Sequence, residues 1–266
     1  MLNIAVCIKA VPDEECYNII KFDPVMKTLI REGISMVINP SDLHALELAL
    51  CLKEKLGGEI TLISMGPMTV TTQLRECLSY GADEAYLMSD CIFGGSDTLA
   101  TSYVLSKGLR HIGNFDLVLA GNESADGATS HVPSQLGEWL GYPHVMEVCA
   151  LNIVDEKIAA VRKKADNYFV DYTVKLPAVF AVSRGMNKVR YPSIRGILSS
   201  KGKEIKVLTA ESIPDLDISM IGLQGSPTKT GQLITSSFHR DCMLLDGSNE
   251  EIASAILGMI RPVIDD

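Results

Sequence analysis

Across 266 residues the chain is 47% hydrophobic and 21% charged, enough to bury a sizeable core in one large domain with an appendage or in two small ones. Its apolar runs stop far short of the roughly 18 residues that span a bilayer, which argues against membrane insertion, and a net charge of −9 argues against general nucleic-acid binding, which needs clustered positive charge. Seven cysteines, at 7, 16, 51, 77, 91, 149 and 242, are odd in number and lack a close CxxC pair, the pattern of buried thiols rather than of a disulfide framework or structural zinc site.

The opening "MLNIAVCIKA" has no basic n-region and no small-residue cleavage site, so it reads as a first strand, Asn3 to Lys9, and points to the cytoplasm. "NIIKFDPVMKTLIREG" carries a turn signal at Asp23-Pro24 between β-prone runs and predicts a hairpin. Ser41 or Asp42 then suits the cap of a helix on which Leu43, Leu46 and Leu50 share a face, and Gly57-Gly58 ends it. Strands follow at Ile60 to Met65, Glu84 to Met88, Asp116 to Ala120 and Ala178 to Val182, separated by helices near Thr71 to Tyr80 and from Ser96 or Asp97 to about Ile112. This alternation is that of βαβ units around a parallel sheet. The stretch 149–182 predicts two or three antiparallel strands joined at Asp155-Glu156 and Ala165-Asp166-Asn167, so the sheet is mixed. From about Asp215 to Gly247 periodicity is weak, and a loop that long suits an arm lying on another subunit. "SNEEIASAILGMI" closes the chain as a helix capped by Ser248, with Glu251 in the capping-box position.

Ligands of open parallel sheets bind outside the carboxyl ends of the strands. Four segments leave such ends with small, polar or proline-containing residues: "CIKAVPD" at 7–13, "INPSD" at 38–42, "SMGP" at 64–67 and the loop after Ala120. Small residues let backbone N–H groups approach phosphate oxygens, and a following helix adds its positive end. Gly121, Gly127, Thr129 and Ser130 suit that purpose, with Ser134 starting the helix. Neither GxGxxG nor GxxxxGK[ST] is present. The histidines at 44, 111, 131, 144 and 239 form no HExxH, and no catalytic triad, metal cluster or paired acid–base site stands out. Asp97 with Thr98, Thr101 and Ser102 is the next polar cluster, placed where an N-cap is expected.

These collinear segments resemble the β subunit of the electron transfer flavoproteins over essentially the whole chain: "VCIKAVPD", "INPSDLHALELAL", "SMGPMTVTTQLRECLSYGADEAYLMSD", "DLVLAGNESADGATSHVPSQLGEWLGYP" and "LPAVFAVSRGMNKVRYPSIRGILSSKGKEI". The resemblance implies an α/β, Rossmann-like (adenine nucleotide hydrolase-like) fold with a mostly parallel sheet, an antiparallel extension and a C-terminal arm. Residues 1–210 would form the nucleotide domain, and residues 211–266 an arm and helix packing on the α subunit of an obligate heterodimer. In the family the site on this chain holds AMP in ordinary carriers and a second FAD in the electron-bifurcating group. By motif position its contacts fall on Cys7, Lys9, Asn39, Pro40, Ser41, Asp42 and Met65, and on Gly121, Asn122, Glu123, Ser124, Asp126, Gly127, Ala128, Thr129, Ser130, His131 and Val132.

"TLIREG" at 28–33 and "FGGSDTLATSYVLS" at 93–106 look like the bifurcating type, which adds Asp97, Thr98 and Thr101 as cofactor contacts. That group exchanges hydride between FAD and NAD(H), sends one electron to ferredoxin or flavodoxin, and passes the other through the α-subunit FAD to an acyl-CoA, enoyl-CoA or lactate-type dehydrogenase. The chain departs from the family loop at Asn122, usually basic, at Glu123, usually Gln, at Ala128, usually Asp, and at Pro133, usually Gly.

Between Arg184 and Lys206 seven cations face one acid, Glu204, a net of +6 in an acidic chain. In the family this is the recognition loop for dehydrogenases, with docking residues at Arg190, Tyr191, Ile194, Arg195 and Ile197 and with Ile194 as apolar anchor. An apolar anchor among charges suits a transient interface. Three functions compete: a bifurcating carrier, a subunit that binds AMP only as a structural nucleotide, and an adenine-nucleotide-binding regulatory module. The long arm disfavours the third.

Overall fold

The computed structural model describes residues 1–19, 21–22, 29–30, 33–229 and 242–264. They fall in two units, Met1–Thr230 and Gly231–Asp266. The first is built on a nine-stranded sheet. Its strands are β1 (Leu2–Cys7), β6 (Gly58–Met65), β7 (Glu84–Met88), β8 (Leu117–Gly121), β9 (His144–Asp155), β10 (Ile158–Lys164), β11 (Phe169–Lys175), β12 (Ala178–Val182) and β13 (Ile205–Leu208). Their order is β11-β10-β9-β12-β8-β1-β6-β7-β13, and only the β9-β10 and β10-β11 pairs are antiparallel. This is the α/β, mostly parallel sheet with antiparallel extension that the sequence predicts. Two small antiparallel pairs lie outside it: β2 (Ala10–Pro12) with β5 (Met36–Ile38), and β3 (Lys21–Phe22) with β4 (Leu29–Ile30). The second is the predicted hairpin; its Asp23-Pro24 turn lies outside the described residues.

The central strands are continuous apolar runs because helices cover both faces, and β8 and β12 are buried at every position. Alternation along β1 sends Ile4 and Val6 to one face and Ala5 and Cys7 to the other. On the first face Leu46 and Leu50 of α1 (Pro40–Leu56) and Leu74 and Leu78 of α2 (Thr71–Tyr80) meet Leu62 and Leu117. On the second, Val104 and Leu109 of α3 (Thr98–Ile112) and Leu136 of α4 (Val132–Leu140) meet Ile63, Val118 and Val179. The chain fills β1, β6 and β7 outward in one direction, then returns through α3 to β8 on the other side of β1. That reversal opens a crevice between the carboxyl ends of β1 and β8.

Two helix starts differ from the sequence reading, and one helix is not foreseen in it. The N-cap of α1 is Asn39, not Ser41 or Asp42, because Pro40 takes the first helical position, where its fixed φ suits the helix and its missing N–H costs nothing. Pro133 likewise draws the start of α4 back from Ser134 to Val132. Within 184–206, α5 (Ile194–Ser200) forms because the Ser193 Oγ accepts the Gly196 N–H at 3.0 Å, and β13 follows it. Asp97 does cap α3, its Oδ1 accepting from the N–H groups of Leu99 and Ala100.

Residues 211–229 belong to the first unit, where Ile213 and Ile221 are buried in its core. In the second unit α6 (Asn249–Ile264) carries the predicted capping box: Glu251 Oε2 accepts the Ser248 N–H at 2.8 Å, and Ser248 Oγ accepts the Glu251 N–H at 3.3 Å. No described helix is long and apolar enough to cross a membrane.

Candidate functional site

A cavity of about 850 Å³ opens at the carboxyl ends of β1, β6, β7 and β8, within the range of roughly 300–1,000 Å³ usual for small-molecule sites. Cys7 and Lys9 reach it from β1, Met65 from β6, and Asn39 and Asp42 from the start of α1. The segment before α3 brings Asp97, Thr98 and Thr101; the loop after β8 brings Gly121, Asn122, Glu123, Ser124, Gly127, Thr129, Ser130, His131 and Val132. Pro40, Ser41, Asp126 and Ala128 do not line the wall. Sequence reasoning did not single out Ser89, Asp90 and Cys91 after β7, or the apolar Ile63 and Leu105, which also form it. The one signal for the first group was the rule that strand ends build the site.

The loop after β8 is latched to α1. Asp42 accepts from Lys9 N at 2.7 Å, Gly121 N at 3.0 Å and Asn39 Nδ2 at 3.0 Å. Asn39 also donates to Glu123 O and accepts from Ala125 N. A Cβ at Gly121 would stand 2.4 Å from Asp42 Oδ1 and 2.7 Å from the Ser41 carbonyl carbon, so only glycine lets α1 approach β8 this closely. Burial pushes the Asp42 carboxyl up to about 6 although three N–H donors hold it down. Burial, with Asp42 beside it, likewise pushes the Cys7 thiol up to about 12, so this cysteine is an inert wall group.

Anion-binding features gather at the other end of the loop. Ala128 and Ser130 have left-handed backbones, φ +45° and +54°. Such alternation turns successive N–H groups toward one point, an anion nest. Immediately after, the N–H groups of Val132 and Ser134 have no partner among the described residues, and the first turn of α4 holds no acid. An open helix N-terminus beside a nest fits the phosphate of a nucleotide.

Side-chain charge is balanced differently. Lys9 Nζ binds Asp126 at 2.5 Å and Ser124 Oγ at 3.1 Å. Burial works to raise the Asp126 carboxyl, but Lys9 and Ser124 outweigh it and hold the group below its ordinary value. Glu123 accepts from Ser130 Oγ, and Asn122 forms a reciprocal pair with Glu147: its Nδ2 donates to Oε1 at 2.6 Å and its Oδ1 accepts from the Glu147 N–H. The amide at the position that is basic in the resembled family is thus turned to the sheet.

The residues expected from the resemblance to dock a partner lie elsewhere. Tyr191 and Ile194 are 92% and 79% exposed, and Arg195, Ile197 and Leu198 are also exposed. Arg190 faces inward: its guanidinium pairs with Glu47, whose side chain is 7% exposed, and with Glu54, while its N–H donates to Glu47 Oε2. Arg190 therefore mounts the segment on α1 rather than presenting charge. Among the described residues no group of His, Cys, Asp and Glu could hold a metal ion.

Comparison with known proteins agrees with this geometry. A family model described as electron transfer flavoprotein domain matches residues 27–213. Similar proteins include an electron transfer flavoprotein subunit beta of Thermoanaerobacterium thermosaccharolyticum, 42% identical over 251 residues and 94% of each chain. The caffeyl-CoA reductase-Etf complex subunit CarD of Acetobacterium woodii is 38% identical over 98% of each chain. Protein FixA of Bradyrhizobium diazoefficiens is 36% identical over 98% of this chain and 91% of its own. With its strand-end cavity, anion nest and matching length, the chain belongs to the electron transfer flavoprotein family as a β subunit.

Proposed function

We propose that the chain works in the electron-bifurcating manner. Paired with an α subunit in the cytoplasm, it holds an FAD in this cavity, where NAD(H) exchanges hydride. Electrons leave in two directions, to ferredoxin or flavodoxin and, through the α-subunit FAD, to an acyl-CoA, enoyl-CoA or lactate-type dehydrogenase. What carries this reading is the reach of the cavity, from the nest at 129–132 to the apolar wall of Ile63, Phe93 and Leu105 beside Thr98 and Thr101. A bound phosphate would need only the first end. The name of the CarD relative, which places that protein in a caffeyl-CoA reductase complex, supports a CoA-ester dehydrogenase as partner.

When bound, the flavin supplies both two-electron and one-electron chemistry. The chain's own residues bind and orient. The N–H groups of residues 129–132 and of Ser134 would receive phosphate oxygens, Lys9, shared with Asp126, would add the cationic side chain, and Met65, Phe93 and Leu105 would exclude water from the ring end. Tyr191, Ile194 and Leu198 present an apolar patch to the dehydrogenase.

A second reading, AMP as a structural nucleotide, draws on Asn122 and Glu123. With Asn122 held by Glu147 and Glu123 acidic, the loop brings no Lys or Arg to the cavity, and Lys9, from the end of β1, is paired with Asp126. The test is to purify the chain with its α subunit, denature the complex and count the released nucleotides by chromatography. Two FAD per heterodimer is the expected result. One FAD with one AMP would replace it by the second reading, and one FAD alone would overturn the assignment of the cavity.

A further inference from the structure

The cavity wall at 93–98 is not held by the sheet alone. It is tied to the segment 221–228, which none of the strands or long helices includes and which leads toward the C-terminal unit. The Asp97 N–H donates to Ser226 Oγ at 2.8 Å, and the Thr228 N–H donates to Asp97 Oδ2 at 3.0 Å. The Gly222 N–H donates to Ser96 Oγ at 3.1 Å. Ser226, 3% exposed, donates its own proton to Gly222 O at 2.6 Å, so its hydroxyl joins the two segments by accepting from one and donating to the other.

Packing follows the same line. Gly222, at φ +60°, lies so close that a Cβ there would stand 2.3 Å from Ile92 O, and Leu223 sits over Gly95, where a Cβ would stand 2.5 Å from its Cγ. Phe93 through Thr98 line the cavity, but none of residues 221–228 does. Asp97 is the hinge of the arrangement: one carboxylate oxygen caps α3, and the other holds Thr228.

We propose that Ser226 is a positioning residue of the nucleotide site: through Asp97 and Gly222 it fixes the 93–98 wall, so the root of the C-terminal arm sets how tightly the cavity closes on its nucleotide. The proposal rests on reading the cavity as the nucleotide site. It makes the arm root, which backs the wall but lines no part of that cavity, a determinant of nucleotide retention.

The experiment uses the purified heterodimer, wild type, Ser226→Ala and the control Lys229→Ala, an exposed position of the same segment. Each is loaded with AMP or with FAD, and two quantities are read: the rate of nucleotide release on dilution, and hydrogen exchange of the amides at 94–98. Ser226→Ala should release nucleotide about tenfold faster, the scale of one buried hydrogen bond, and its 94–98 amides should exchange faster with or without nucleotide. Lys229→Ala should match wild type. Wild-type release together with wild-type exchange at 94–98 in Ser226→Ala would overturn the proposal.

Should Ser226→Ala fail to assemble, the wild-type heterodimer decides: adding nucleotide should slow exchange at Thr228 and Asp97, and an unchanged Thr228 would overturn the joint. If the wild type retains neither AMP nor FAD, the reading of the cavity fails. Nucleotide-free exchange at 94–98 still tests the joint in that case.

Discussion

Replacing Asp42 by Asn tests the electrostatics of the latch. The carboxyl is buried and pushed up from its ordinary 3.8 to about 6. Between those values the unfolded chain releases the proton while the folded chain keeps it. The folded state therefore loses stability as pH rises and carries the full penalty above about 6. Linkage between the two values gives about 1 kcal/mol of penalty at about pH 4.5 and about 3 kcal/mol at about pH 7.5. Asn does not titrate, so the variant escapes this term. It has a cost of its own: its amide can place one oxygen where Gly121 N and Asn39 Nδ2 donate, which turns its NH₂ against the Lys9 N–H, a donor facing a donor. That loss is about 1–3 kcal/mol and independent of pH. Urea unfolding of both proteins at the two pH values, compared as the difference between them, isolates the titration. The deficit of Asp42→Asn should shrink by about 2 kcal/mol on going from about pH 4.5 to about pH 7.5. A deficit that grows instead would show the folded carboxyl to be depressed and the burial argument to be wrong.

Gly121→Ala should lower stability by about 1–3 kcal/mol through the clash with Asp42 and the Ser41 backbone. A thermal scan should register this as a fall of about 2–4 °C per kcal/mol, and an unchanged midpoint would refute the close approach. Arg190→Ala leaves Glu47 buried without its cation and should cost about 2–3 kcal/mol, below the full figure for a buried pair because Arg190 is partly exposed. Burial raises Glu47, but hydrogen bonds from Arg190 outweigh it and the net direction is down, so this stability is present above 4.5 and lost as pH falls through the folded value. The difference between wild type and Arg190→Ala in urea should therefore narrow in acid. Ile194→Asp should slow electron transfer to the partner dehydrogenase about tenfold or more with nucleotide content unchanged; equal loss of both would remove the docking role of this exposed side chain.

Much of the fold was legible because parallel strands buried on both faces leave unbroken apolar runs. Glu84–Met88 and Ala178–Val182 fall on the predicted residues for that reason. The cap of α3 at Asp97 and the box at Ser248 and Glu251 were legible because both are local, within three residues. What escaped was nonlocal. β13 is a strand because it pairs with β7, some 120 residues earlier, and nothing in Ile205–Leu208 itself separates a strand from the end of a loop. Arg190 reads as one more cation in a basic stretch until the fold brings Glu47 and Glu54 beneath it. The same holds for Asn122, whose partner Glu147 lies 25 residues on, across the sheet. The loops of the site were legible from the rule that ligands bind at strand carboxyl ends, and family likeness added further residues, but no spacing rule marks a nest formed by Ala128 and Ser130, two residues not specialised for left-handed backbone.

Helix α1 joins the loop of the proposed nucleotide site to the start of the proposed docking segment. Its cap and first turn, Asn39 and Asp42, hold the loop that carries the anion nest. About one turn further on, His44 and Glu47 hold residues 185–190, which lead into the exposed stretch from Tyr191. The Gly185 N–H donates to His44 Nε2 at 3.2 Å, and Asn187 Nδ2 donates to the His44 carbonyl at 2.9 Å, which leaves Asn187 Oδ1 to face Nδ1 at 2.8 Å. A backbone N–H can only donate, so Nε2 is the acceptor and Nδ1 carries the proton; the ring is fixed in one tautomer by two partners. Arg190 closes the mount on Glu47 and Glu54. A tilt of α1 would therefore displace the loop after β8 and residues 185–190 together, while α5 beyond them rests on α2, where Gly196 approaches the Ser79 carbonyl and Arg75 donates to Ser200 O. If the cavity holds the redox group and 191–198 the docked partner, as proposed, the adjoining helices α1 and α2 fix the two at a repeatable distance more firmly than independent loops would.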